Sequence, residues 1–83
     1  MKDIYESKYI QLGLKIAYYR KFRGLTQEQL AEKTNLTPAF IGHIEAPNIC
    51  KAISMDTLFN IASVLDIPEY KFFIFDDWTK SKC

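Results

Sequence analysis

The chain has 83 residues, 48% hydrophobic and 25% charged, with 11 Lys or Arg against 10 Asp or Glu for a net charge of +1. A chain this short buries about 60–65% of its unfolded surface, enough for one core, and a single domain over 1–83 is expected, with its core at about 8–75 and a polar tail at 76–83. No apolar run approaches the roughly 18–20 residues of a membrane span, and Met1 to Glu6 lacks the apolar stretch of a signal peptide, so no membrane-spanning helix is expected and a cytoplasmic location is the default expectation.

The first helix is expected from about Ile4 or Lys8 to Phe22, with Leu12, Ile16 and Tyr19 inward at three- and four-residue spacing and Gly24 ending it. Leu25 and Thr26 then open the second helix, about Gln27 to Thr34. Thr26 can accept from the Gln29 amide while Gln29 reaches back, a capping box with Leu25 and Leu30 as hydrophobic staple. Asn35 stands where this helix must end, and Asn tolerates the left-handed conformation such an end requires. The same grammar repeats for the third helix, about Pro38 to Ile44: Thr37 caps it, Pro38 takes the first helical position, and Leu36 with Ile41 forms the staple. Leu30, Ala31, Leu36, Ile41 and Ile44 are the inward residues, Ala31 being small where two steeply crossing helices need close backbones.

A loop from Ala46 to Ala52 follows, and Ser54 caps a fourth helix carrying Leu58, Ile61, Ala62 and Leu65 inward. The run Glu69 to Phe75 is compatible by periodicity with a last helix or a short apolar strand. Two short capped helices around a tight turn make a helix-turn-helix, and the whole reads as all-α.

The residues Gly13, Ile16, Arg20, Gly24-Leu25-Thr26-Gln27, Leu30-Ala31, Leu36-Thr37, Ile41, Ile44-Glu45, Leu58, Ile61-Ala62 and Leu65 resemble the lambda-repressor-like, Cro/XRE-type helix-turn-helix family. The resemblance runs from about Gly13 to Phe73. It implies a compact five-helix fold with the motif at helices two and three, the last segment being helical. It also implies a double-stranded DNA partner, a Gln27 side chain that binds phosphate, and a mostly buried salt bridge between Arg20 and Glu45. The last fits the rule that charged residues among apolar helix positions are rarely left unpaired.

A helix-turn-helix enters the major groove with the N-terminal part of its second helix. By position Pro38, Ala39 and His43 face the bases, with Phe40 at the margin toward the sugar-phosphate chain. Thr26, Gln27 and Thr37 stand at helix starts, where oriented amides favour phosphate. Pro38 and Ala39 offer no hydrogen bond, so thymine-methyl contact is what Ala39 and Phe40 bring, and His43 is the one side chain able to bond a base edge. The loop after Glu45 departs from the family: Pro47 and Ile53 replace a glycine and a proline, and the segment is longer by about two residues. Asn48 and Lys51 are its phosphate-contact candidates, while Ile49 and Cys50 are alternatively placed beneath the loop.

Positive charge concentrates early, at net +4 over residues 1–24, −2 over 25–45 and −1 over 46–83. Lys15, Lys21, Arg23, Lys33 and Lys51 are the candidates for phosphate neutralisation. No His, Cys, Asp or Glu spacing suggests a metal or cofactor, Cys50 and Cys83 have no redox spacing, and no nucleophile and base are paired as an enzyme requires. The aromatic run Tyr70, Phe72, Phe73, Phe75 and Trp78 exceeds what one short helix hides, which points to a homodimer through this C-terminal segment, with Phe75 or Trp78 contributing. The function expected is a sequence-specific DNA-binding transcriptional regulator, a repressor. The alternative is a protein-interaction module, an antitoxin or adaptor on the same fold.

Overall fold

A computed structural model describes residues 3–75 of the chain, in which four α-helices are followed by one short 3-10 helix: α1 (Asp3–Phe22), α2 (Gln27–Thr34), α3 (Pro38–Glu45), α4 (Met55–Leu65) and the closing 3-10 helix Glu69–Phe73. The helix starts follow from local chemistry. Thr26 Oγ1 accepts from the Gln29 amide at 3.0 Å while Gln29 Oε1 accepts from the Thr26 amide at 2.8 Å, so the capping box closes. Thr37 accepts from the Phe40 amide at 3.0 Å, and Ser54 from the Thr57 amide at 3.1 Å.

The helix ends share one device. Gly24, Asn35 and Asp66 take positive φ values of 76°, 62° and 58°. After each, the next amide bonds back to the preceding helix, Leu25 to Arg20 O, Leu36 to Ala31 O and Ile67 to Ala62 O at 3.1, 2.9 and 3.1 Å. This is the Schellman arrangement, which satisfies carbonyls the helix leaves open and turns the following apolar residue toward the core. Leu25 and Leu36 pack half-buried against that core, and Ile67 is within it.

One apolar cluster joins all five elements: Leu12 and Ile16 of α1, Leu30 and Ala31 of α2, Ile41 and Ile44 of α3, Ile53 before α4, Leu58, Ile61, Ala62 and Leu65 of α4, then Ile67 and Phe72. Tyr19 is half-buried and meets Phe72 edge-to-face at 5.3 Å between centroids. Asn60 of α4 donates to the carbonyl of Thr34 at 2.8 Å, tying the end of α2 to α4.

The last segment corrects the expectation of a fifth α-helix. Pro68 precedes it, and the bonds formed are of three-residue spacing, Lys71 N–H to Pro68 O at 3.0 Å and Ile74 N–H to Lys71 O at 3.5 Å. This short winding needs to bury only Phe72. Phe75 is half-buried, while Tyr70, Phe73 and Ile74 are exposed. Trp78 and Cys83 lie outside the described residues.

Candidate nucleic-acid interface

Two faces of α3 have separate duties. Ile41, Ile44 and Glu45 are buried, whereas Pro38, Ala39 and His43 are exposed. The inner face is held at very close range by Gly13 of α1: a Cβ built there would stand 1.6 Å from the Ile44 carbonyl oxygen, so only glycine lets the two backbones approach this far. The outer face makes no side-chain hydrogen bond among the described residues.

The helix starts of α2 and α3 flank that face with exposed hydroxyls. Thr26 and Thr37 use a lone pair of Oγ1 to accept from an amide, which leaves each O–H as a donor for an external acceptor. Gln27 lies against α3, its Oε1 standing 3.6 Å from where a Gly42 Cβ would be. The N-terminus of α2 and the outer part of α3 are thereby brought together.

Behind this surface is a closed polar network. Arg20 Nε and Nη2 donate to the two carboxylate oxygens of Glu45 at 2.8 and 2.9 Å, a bidentate pair between residues 7% and 6% exposed. Arg20 Nη1 donates to the Leu25 carbonyl at 2.6 Å, and Gln27 Nε2 donates to Glu45 Oε1 at 2.9 Å. No buried side-chain nitrogen or oxygen among the described residues is without a partner. The network joins α1, the turn before α2, α2 itself and the end of α3. Gln27 therefore commits one N–H to the network, which leaves its second N–H unused by it. The link from Gln27 to Glu45 was missed at the sequence level, although both residues stood at fixed offsets from the apolar skeleton.

The loop between α3 and α4 runs over the surface. Ile49 N–H bonds Ala46 O at 3.4 Å, a turn made without glycine. Ile49 and Cys50 are exposed, which corrects the alternative that they pack beneath the loop; the anchor is Ile53 instead. Asn48 is exposed and makes no side-chain hydrogen bond among the described residues. Lys51 is exposed as well, and its Nζ stands 5.5 Å from the Phe40 ring centroid, a cation–π distance that joins the loop to α3.

With this geometry in place, the family comparison is decisive: the model of the helix-turn-helix family matches residues 16–72. The chain belongs to the Cro/XRE-type helix-turn-helix family. Among solved structures, this helix-turn-helix protein is similar to the restriction-modification controller protein C.AhdI from Aeromonas hydrophila, at 26% identity and a TM-score of 0.73 over 80% of this chain and 97% of that one. It is likewise similar to a mutant of C.Esp1396I bound to its highest-affinity operator site, at 30% identity and a TM-score of 0.70 over 81% of this chain and 86% of that one. The clp gene regulator ClgR from C. glutamicum shares the fold at 23% identity and a TM-score of 0.74, over 80% of this chain and 82% of that one. No curated protein matches the chain.

The cations of this helix-turn-helix domain are unequally available. Arg23, a phosphate candidate from sequence, is otherwise engaged: Nε donates to Leu65 O at 2.7 Å and Nη2 to Asp66 O at 3.0 Å, capping the end of α4. Lys21, Lys33 and Lys51 are exposed, and Lys15 is half-buried with its Nζ 5.9 Å from the Tyr18 ring centroid. No group of His, Cys, Asp or Glu among the described residues is arranged to hold a metal ion, and none of the described helices is long and apolar enough to cross a membrane.

Proposed function

We propose that this chain is a single-domain, sequence-specific regulator of transcription that binds double-stranded DNA, acts as a repressor in the cytoplasm without a cofactor, and reads the major groove with α3. One observation carries the reading: the outer face of α3 is exposed at Pro38, Ala39 and His43 while its inner face is fixed by Ile41, Ile44, Glu45 and the contact with Gly13. Such a helix presents a rigid edge to a groove. Thr26, Thr37 and the second N–H of Gln27 supply donors to phosphates on either side, and Lys51 and Asn48 extend that contact along the backbone. His43 supplies the polar base contact, and Ala39 and Phe40 supply apolar contact to thymine methyls. The similarity to C.Esp1396I, solved on an operator site, supports the reading.

A domain this small reads few base pairs, so we assign it a homodimeric state that doubles the site. Tyr70, Phe73 and Ile74, exposed at 63%, 47% and 46%, give the C-terminal segment the apolar surface for that contact. Selection from random duplexes followed by a salt titration tests the DNA reading. A preferred sequence and an affinity that falls steeply with salt are expected. Absence of saturable duplex binding overturns it in favour of a protein-binding module. Sedimentation that returns a monomer mass at every concentration overturns the dimer.

A further inference from the structure

Phe40 is fixed from two directions. Its amide donates to the Thr37 cap at 3.0 Å, and its half-buried ring packs against the apolar core. The backbone is held by the cap and the ring is backed by the core at the N-terminal end of α3. Lys51 is its opposite, an exposed lysine on a loop whose backbone turn is held by Ala46 N–H to His43 O and Ile49 N–H to Ala46 O, both at 3.4 Å. Between Ala46 and the buried Ile53, the loop meets α3 through the contact of Lys51 with the Phe40 ring.

We propose that Phe40 is a positioning residue for Lys51, holding its ammonium beside the start of α3 so that it meets a DNA phosphate already oriented; this rests on the DNA reading above. A lysine is a point charge on a flexible stem and loses rotamer freedom on any contact it makes. Held over an aromatic face, the ammonium turns one side to the ring and keeps N–H groups directed outward. The freedom is then lost before DNA arrives, and the loop, which has no glycine turn to set its path, is brought to α3 by the same contact. Phe40 adds no charge to the interface; it decides where one stands.

The test is the slope of log affinity against log salt for a random-sequence duplex pool and for the best duplex selected from it. Lys51→Ala removes one phosphate contact and lowers the magnitude of the slope by about 0.9, so that over a fourfold rise in salt the affinity falls about threefold less than in the parent. Phe40→Leu, which changes no charge, is expected to lower it by a similar amount, and the double variant no further. Phe40→Trp, which keeps a ring face, retains the parent slope.

A parent-like slope in Phe40→Leu overturns the proposal even if affinity drops, because the ring then serves packing or base contact alone. Phe40→Met provides a second ring-free, apolar variant, and a cooperative melt verifies the fold of each. A readout that needs no DNA is the ring-current upfield shift of the Lys51 ε-protons, present in the parent and lost in Phe40→Leu. Absence of that shift in the parent overturns the contact itself. A parent that shows the shift and binds no duplex overturns the DNA reading and the positioning role with it.

Discussion

Replacing Glu45 with alanine removes the acceptor for three donors at once. Arg20 Nε and Nη2 and Gln27 Nε2 all bond its carboxylate within 2.8 to 2.9 Å, and the Arg20 and Glu45 side chains are only 9% and 4% exposed. The variant leaves a buried guanidinium with no opposing charge and two unmet N–H groups, since only the bond from Nη1 to Leu25 O survives. Breaking one side of a buried pair costs about 3–5 kcal/mol. An 83-residue chain has a total stability of roughly 4–12 kcal/mol at typical values per residue. Each kcal/mol lowers the melting temperature of a domain this size by about 4–8 °C, so Glu45→Ala should melt at least about 12 °C below the parent in a circular-dichroism scan. The paired variant Arg20→Met with Glu45→Leu removes both charges and should recover most of the loss, because an apolar pair of similar volume carries no desolvation penalty. A single variant that melts within about 4 °C of the parent, or a double variant as unstable as the single, refutes the assignment of a stability role to this network.

Two glycines separate contact from flexibility. Gly13→Ala drives a methyl into the Ile44 backbone and should cost about 3 kcal/mol or more by thermal melting, whereas Gly42→Ala meets only Gln27 Oε1 at 3.6 Å and should gain about 0.5–1 kcal/mol from helix propensity. Equal effects of the two would refute the close approach of α1 and α3. His43→Ala should leave melting unchanged and weaken binding to a selected duplex by about 1–3 kcal/mol while sparing random DNA, read by fluorescence anisotropy; an equal loss on both shows that His43 touches only backbone. Arg23→Ala should lower stability by about 1–2 kcal/mol and leave the salt slope of DNA binding unaltered, since its guanidinium is committed to the α4 carbonyls. A slope reduced by about one unit would place Arg23 on the DNA instead.

What was legible in the sequence was what neighbouring residues decide. Thr26 with Gln29, Thr37 with Phe40 and Ser54 with Thr57 are bonds across three residues, so the starts of α2, α3 and α4 could be read from spacing alone. Gly24 and Asn35 as helix ends follow for the same reason. The bonds that escaped are long-range: Gln27 meets Glu45 across 18 positions and Arg23 meets Leu65 across 42, distances over which no periodicity carries information. Gly13 stood in the motif, yet nothing in the chain reveals that a carbonyl presses on it. At Glu69–Phe73 the apolar run is too short for any period to separate α from 3-10 winding, and the tertiary need of Phe72 decides.

The division of α3 into a fixed inner side and an unbonded outer side bears on how this protein can change. Substitutions at Pro38, Ala39 and His43 touch neither the apolar cluster nor the Arg20–Glu45–Gln27 network, so they carry little thermodynamic penalty. The scaffold can therefore drift in binding preference along a nearly flat stability landscape, and a library restricted to those three positions should yield folded proteins at high frequency.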